Sequence, residues 1–120
     1  MINAVHSILY ARDAAAARAF FADVLGLDSV DAGGGWLIFA LPPAELAVHP
    51  AQSSSTELYL MTDDLDAALG ALRVQGVTIV AEPAEQSWGT VARIDVPGFG
   101  PLGIYQPSHP VPRRTSTAAG

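Results

Sequence analysis

The stretch VHSILYARDAAAARAFFADVLGL, residues 5–27, passes from a strand pattern to a helical pattern. Residues 3–11 are rich in β-branched and apolar side chains, and Asp13 then offers a favourable helix N-cap. Beyond it, apolar residues recur at steps of three and four and form one stripe: Ala14, Ala17, Phe20, Phe21, Val24 and Leu25. Gly26 can end this helix as its C′ residue. We therefore predict strand, cap, helix and glycine stop, in this order.

The same order of signals returns in the second half of the chain. Residues 57–62 have a strand pattern, Asp64 is a second N-cap, and Gly76 is a second helix stop. Between the cap and the stop lies an apolar stripe at helical spacing, made of Leu65, Ala68, Leu69 and Leu72. When the two caps are matched, His6 falls on Glu57, so the chain contains an internal repeat.

Each predicted helix is followed by three segments with a strand pattern, separated by turns rich in glycine and proline. These strands are residues 27–31, 36–41 and 45–49 in the first half and 77–81, 90–96 and 102–106 in the second. A sheet with a helix on one face still needs cover on the other, so the two modules should pair. We therefore predict an α+β fold in which paired βαβββ modules, residues 1–51 and 56–107, form a curved mixed eight-stranded sheet around a cavity. One domain would span residues 1–110, and residues 108–120 are predicted to be a mobile tail.

The composition limits the classes of function. The 120-residue chain has no cysteine and no lysine, which excludes thiol nucleophiles, cysteine-ligated metals and Schiff-base chemistry. Its net charge of −6 argues against nucleic acid and anionic membranes as partners. No apolar run approaches the roughly 20 residues that span a bilayer, and the first residues lack a signal-peptide pattern. We therefore expect a cytoplasmic protein whose partner is a small molecule.

Three segments of the chain resemble a known superfamily. These are residues 5–27 near the start, SWGT at residues 87–90, and IYQP at residues 104–107. All three are similar to segments of vicinal oxygen chelate proteins, which include glyoxalases, bleomycin resistance proteins and extradiol dioxygenases. The resemblance covers residues 3–107 and implies paired βαβββ modules around one ligand cavity.

The resemblance also implies where a divalent metal would be held. In metal-dependent members, side chains on the first and fourth strands of each module bind one ion, and the first-strand positions here are His6 and Glu57. The fourth-strand position of the second module is Gly103, which offers no ligand. In the first module it is either Glu45 or Leu46, because a one-residue slip reverses the strand faces. We therefore expect either no cofactor or a divalent metal bound weakly by His6, Glu57 and, in one register, Glu45, and we expect Gly103→Glu to strengthen that binding.

A second set of residues is predicted to line the cavity. Along the first strand of the second module, Glu57, Tyr59 and Met61 share one face, while the leucines between them pack on the helix. Aromatic side chains are suited to stacking on a ligand, although they fill cores more often. Arg93 either lines the cavity, where it can pair with Asp95, or is exposed. The predicted ligand-binding residues are His6, Trp36, Glu57, Tyr59, Trp88, Arg93 and Tyr105.

Two classes of function agree with these residues. The first, which the missing ligand at Gly103 favours, is a binding protein that holds a small aromatic organic molecule without chemistry, as antibiotic-sequestering resistance proteins do. The second is a metal-dependent glyoxalase-type lyase or isomerase, or a dioxygenase, in which Glu57 moves a proton as the catalytic residue. A dimer with a vestigial cavity is a third reading, since fold alone does not fix function. We predict a homodimer, because a symmetric partner would cover open strand edges and apolar faces.

Overall fold

The computed structural model describes residues 3–112 and has the predicted α+β architecture. Helix α1 spans Ala14–Ala19 and continues as a π-helical segment, Phe20–Val24, and helix α2 spans Leu65–Val74. The strands are β1 (Ser29–Asp31), β2 (Leu37–Phe39), β3 (Tyr59–Met61), β4 (Ile79–Gln86), β5 (Gly89–Val96) and β6 (Gly100–Pro107). β1 and β2 form a hairpin, and the other strands form a four-stranded sheet of order β3-β6-β5-β4. No helix in this part of the chain has the length and apolar character needed to cross a membrane.

The four-stranded sheet contains all four strands predicted for the second module. β3 pairs with β6 in parallel, and the other neighbours are antiparallel. Side chains alternate along β5 and β6, so one face of the sheet is apolar and buried. This face consists of Ala92, Ile94, Val96, Leu102 and Ile104. Helix α2 packs on it through Leu65, Leu69 and Leu72, which belong to the stripe that the sequence predicts.

Helix α1 belongs to the same core, so the two helices share one hydrophobic cluster. The buried residues here are Ala17 of α1 and Phe20 of the π-helical segment that continues it. The start of α1 is held at the turn between β5 and β6, where the Asp13 N–H donates to the Gly98 carbonyl at 3.1 Å. Gly98 has a φ of 81°, and a Cβ added to it would collide with the backbone carbonyl of Asp13. Only glycine allows the two chain segments to approach this closely.

Both predicted N-caps are confirmed. The carboxylates of Asp13 and Asp64 each accept a hydrogen bond, at 3.1 Å, from the backbone N–H three residues later. This bond satisfies one of the N–H groups that a helix start leaves without an intrahelical partner. Gly76 follows α2 with a φ of 86°, and Gly26 follows the π-helical segment with a φ of 68°, as expected of glycine stops.

The first module departs from the prediction. Residues 3–11 and 45–49 form no strand, so residues 3–112 contain six strands instead of eight. A strand requires a neighbour for its backbone groups, and neither segment is paired with one; prolines on both sides of residues 45–49 also remove hydrogen-bond donors. The apolar side chains of the two segments remain exposed to solvent: Val5, Ile8, Tyr10, Leu46 and Val48.

The chain beyond β6 runs along the turn between β4 and β5. The Ser108 N–H donates to the Trp88 carbonyl at 3.0 Å, and the next residue, His109, contacts Tyr105. Two polar contacts therefore hold the start of the segment predicted as a mobile tail. Residues 113–120 of that segment lie outside the described residues.

Candidate ligand-binding site

The face of the four-stranded sheet opposite the helices carries the candidate site. Alternation along β3 and β6 places Tyr59 and Tyr105 on this face, whereas the leucines on either side of Tyr59 contact the core, as the sequence predicts. In the strand register Tyr59 lies beside Gly103, and Gly103 lies beside Arg93 on β5. The open face therefore combines aromatic and polar side chains.

Three aromatic side chains, Tyr59, Trp88 and Tyr105, meet on this face and form the aromatic cluster. The ring centroids of Trp88 and Tyr105 are 4.9 Å apart, and those of the other two pairs are 5.7 Å apart. All three pairs are arranged edge to face, which brings the positive edge of one ring to the negative face of another. Tyr105 is buried, while Tyr59 and Trp88 are half-buried and leave aromatic surface open to a ligand.

Gly103 makes the position of Tyr59 possible. A Cβ added at Gly103 would collide with the Tyr59 ring at its Cδ1 and Cε1 atoms. The ring therefore lies across β6 at the point where a side chain of that strand would otherwise stand. Gly103 is both a missing metal ligand and the residue whose small size lets the aromatic cluster assemble.

A carboxylate and an imidazole contact the Tyr105 hydroxyl. The hydroxyl oxygen is 3.2 Å from Glu45 Oε1 and 3.1 Å from His109 Nε2, and these two atoms are 3.6 Å apart. The Glu45 side chain is 19% exposed, whereas the neighbouring Leu46 is 90% exposed. Of the two residues that the sequence left open, Glu45 is therefore the one that faces the cluster, although its segment is not a strand.

The environment of Tyr105 keeps its hydroxyl protonated. Burial raises the pKa of this hydroxyl above its ordinary value of 10.0, and the negative charge of Glu45 raises it further. The hydroxyl is therefore a hydrogen-bond donor at neutral pH. On the far side of the imidazole, His109 Nδ1 lies 2.8 Å from the Pro110 carbonyl oxygen, which orients the ring.

Glu57 and His6 lie at the margin of this site or outside it. Glu57 is exposed, and its carboxylate is 3.5 Å from the Tyr59 hydroxyl, at the outer limit of a hydrogen bond. His6 is exposed within the segment that forms no strand, and no hydrogen bond joins it to another residue of the range 3–112. His6 and Glu57 occupy matching positions in the repeat, but within residues 3–112 no hydrogen bond or ion pair joins their side chains.

Trp36 and Arg93 lie outside the aromatic cluster, whereas His109, which was not predicted, contacts it. Trp36 is 71% exposed on the hairpin and makes no ring contact with the aromatic cluster. Arg93 is exposed on the open face and forms no ion pair with Asp95 within residues 3–112. His109 is not among the predicted site residues; the signal that could have revealed its role is its place four residues after Tyr105, just beyond the end of β6.

The positions implied for a divalent metal do not converge. Within residues 3–112, no three His, Asp or Glu side chains are grouped as a metal site requires. Glu45 faces the Tyr105 hydroxyl, His6 and Glu57 are exposed, and the space beside Gly103 is filled by an aromatic ring. The donor set that the resemblance implies therefore does not fit a metal in this chain, and Gly103→Glu would displace a ring before it supplied a ligand.

An apolar groove of about 310 Å³ lies elsewhere, between helix α2 and the chain that leads into and out of the hairpin. Its lining includes Leu25, Leu41, Met61 and Leu72, and Thr62 is its polar member. Sites for small molecules usually add several placed polar groups to such an apolar surface, because these groups orient the ligand. The aromatic cluster, with its hydroxyls and carboxylates, meets that requirement better.

Comparison with known proteins agrees with this architecture. The family model described as the glyoxalase/bleomycin resistance protein/dioxygenase superfamily matches residues 3–105. The chain belongs to this superfamily. No curated protein matches its sequence significantly.

Solved structures with this fold include both binding proteins and enzymes. An antibiotic binding protein from a Streptomyces species is 26% identical, with a TM-score of 0.61 over 90% of this chain and 100% of that chain. A glyoxalase/bleomycin resistance protein from a Streptomyces species is also 26% identical, with a TM-score of 0.56 over 82% of this chain and 95% of that one. A lactoylglutathione lyase from Agrobacterium tumefaciens is 18% identical, with a TM-score of 0.63 over 88% and 94% of the two chains, and at that identity it shows the fold alone.

Proposed function

We propose that this protein binds a planar aromatic organic molecule on the open face of its four-stranded sheet, in the manner of an antibiotic-sequestering protein. The observation that carries the proposal is the aromatic cluster, whose outer rings, Tyr59 and Trp88, are only half-buried. A half-buried aromatic pair offers stacking surface at little conformational cost, because each side chain has few torsions to restrict. The 26% identity to an antibiotic binding protein supports a function in binding a small molecule.

Placement of the polar groups favours binding without chemistry. A general base must lie within hydrogen-bonding reach of the proton it takes, and the predicted base, Glu57, is exposed at the edge of the cluster. The better-buried carboxylate, Glu45, accepts a hydrogen bond from a protonated tyrosine hydroxyl. These groups are suited to orienting a ligand. Metal binding, if it occurs, would be weak, because the implied ligands do not converge.

The two tryptophans allow a direct test, because one lies in the proposed site and the other outside it. Trp36→Leu leaves Trp88 as the only indole, so the fluorescence of that variant reports on the aromatic cluster alone. We expect at least one of a panel of three-ring aromatics, comprising acridine, proflavine and anthraquinone, to quench it saturably. In that variant background, Tyr59→Leu should weaken this ligand about tenfold, because half of the stacking pair is lost.

Two control variants test whether the quenching arises at the aromatic cluster. The Trp88→Leu variant retains only Trp36 and should show no saturable quenching. Tyr10→Leu, which alters an exposed tyrosine remote in sequence from the cluster, should leave the affinity of the Trp36→Leu protein unchanged. Saturable quenching of Trp36 with none at Trp88 would place the ligand on the hairpin and contradict the proposed site.

We also propose that the protein is a homodimer formed through its first module. Val30 and Ile38 are cross-strand partners in the hairpin and are both exposed, and the unpaired segments 3–11 and 45–49 expose further apolar side chains. An apolar sheet face next to unpaired backbone is covered most simply by a second copy of the same surface, because a twofold interface is self-complementary.

Sedimentation at micromolar concentration should show a dimer. Val30→Asp should shift the protein to a monomer, because dimer formation would remove the new carboxylate from water, which is unfavourable. Val74→Asp is the matched control, since this exposed valine lies on helix α2, away from the first module. A wild-type monomer, or a dimer that survives Val30→Asp, would contradict this interface.

A further inference from the structure

The groups around the aromatic cluster accept more hydrogen bonds than they can donate. The Tyr105 hydroxyl has one proton and two neighbouring acceptors, Glu45 Oε1 at 3.2 Å and His109 Nε2 at 3.1 Å. A carbonyl oxygen only accepts, so His109 Nδ1 donates to the Pro110 carbonyl. Whenever Nε2 carries no proton, Glu45 Oε1 and Nε2 compete for the one hydroxyl proton of Tyr105.

The carboxylates add to this excess. Glu45 Oε2 is enclosed and has no hydrogen-bond partner among the described residues. The other tyrosine of the cluster also points its hydroxyl at a carboxylate, that of Glu57. A carboxylate oxygen withdrawn from water without a donor is unfavourable, so the site lacks a donor at Glu45 Oε2.

Within residues 3–112, no arginine forms an ion pair with Glu45 or Glu57. Arg73 forms its ion pair with Glu82, at 2.8 Å, away from the cluster. Arg93 shares the open face but lies on the other side of Gly103 from Tyr59, and within residues 3–112 it is not in ion-pair contact with Glu45 or Glu57. Among the described residues, Glu45 Oε2 therefore has no donor, and a ligand that carries one can bind it.

We propose that the site selects planar aromatic cations, such as ring systems bearing protonated or amino nitrogens, over neutral molecules of the same shape. The inference rests on the proposed function and narrows its ligand class. The ring system of the ligand would stack on one of the two rings, Tyr59 or Trp88, and meet the other at an angle, since their planes are 70° apart. The faces of these rings also attract a cation. Its N–H groups would donate to Glu45, which is 19% exposed and can exchange its two oxygens by rotation about its last torsion.

Proflavine and acridine test this selection, because they share one three-ring framework, while at neutral pH proflavine is a cation with N–H donors and acridine is neutral. In the Trp36→Leu protein we expect proflavine to bind about tenfold more tightly than acridine. Glu45→Gln keeps an oxygen that can accept from Tyr105 but removes the charge. It should weaken proflavine about tenfold and leave acridine unchanged, which abolishes the preference.

Glu85→Gln is the matched control, because it makes the same change at an exposed residue of β4 and should alter neither affinity. Circular dichroism of the glutamine variants verifies that each is folded. Equal affinity of the two probes for the unmodified site, or a proflavine preference that survives Glu45→Gln in folded protein, would overturn the selection but leave the binding function intact. Failure of every aromatic probe to quench Trp88 would instead overturn the proposed function itself.

Discussion

Gly103→Ala is expected to lower the free energy of unfolding by about 1–3 kcal/mol and to dismantle the aromatic cluster. The new Cβ would occupy the space of the Tyr59 ring, and the backbone of β6 cannot retreat because it is paired on both sides, with β3 and with β5. The ring would have to swing out to solvent and lose its edge-to-face contacts. Urea denaturation measures the loss of stability, and acridine or proflavine titration should show weaker binding at Trp88.

A double-mutant cycle with Tyr59→Leu separates this collision from other effects of the substitution. Part of the cost of Gly103→Ala should disappear when the ring is already absent, which gives a coupling energy of about 1 kcal/mol between the two positions. Gly70→Ala is the control, because Gly70 lies within helix α2 and an added Cβ there meets nothing within 4 Å. That substitution should raise stability by roughly 0.5–1 kcal/mol. Additive effects of Gly103→Ala and Tyr59→Leu would contradict the packing described for the cluster.

The same contact determines the outcome of Gly103→Glu. The resemblance to metal-dependent relatives suggests that a carboxylate at this position would complete a metal site. In this chain the added side chain would first expel Tyr59, and His6 and Glu57 would still lie apart from it on exposed segments. We therefore expect Gly103→Glu to behave as a destabilising substitution without tight zinc or nickel binding by calorimetry.

Gly98→Ala is expected to lower the free energy of unfolding by about 3 kcal/mol or more. Its Cβ would collide with the backbone carbonyl of Asp13, which cannot move independently, because the Asp13 N–H donates to Gly98 and its carboxylate caps α1. Helix α1 would have to leave the sheet, exposing Phe20 and the core beneath it. Thermal and urea denaturation both measure this loss.

Gly76→Ala provides a control with almost the same backbone conformation. Gly76 has a φ of 86°, close to the 81° of Gly98, but an added Cβ there meets nothing within 4 Å. It should cost only the strain of a left-handed alanine, about 1 kcal/mol. The difference between the two variants measures the contact between α1 and the β5–β6 turn. Equal losses would show that this contact contributes little.

The sequence was informative wherever a signal is local. The aspartate caps, the glycine stops and the alternation along β3 each depend on residues within a few positions of one another, and the structure has all three. The strand predicted at residues 3–11 depends on a distant neighbour that the pattern cannot supply, and it is not formed. The choice between Glu45 and Leu46 was open for a related reason, since strand alternation does not apply to a segment that is not a strand.

Two features of the site were beyond a residue-by-residue interpretation. In the sequence, Gly103 is only a missing metal ligand. In the structure, the ring of Tyr59 occupies the space that a side chain at this position would need. In the sequence, His109 belongs to a tail without a structural pattern. In the structure, the path of the chain after β6 brings it into contact with Tyr105. In both cases the role of the residue depends on what occupies the adjacent volume, and hydrophobic periodicity carries no information about that.

The three rings of the aromatic cluster come from one sheet of a single chain, and Glu45, which completes the site, comes from the same chain. The groups that the proposed site uses therefore all belong to one polypeptide. The number of ligands bound at saturation should equal the number of polypeptides, whatever the state of assembly. We also expect a binding isotherm of simple hyperbolic form, which is the form that independent, equivalent sites give.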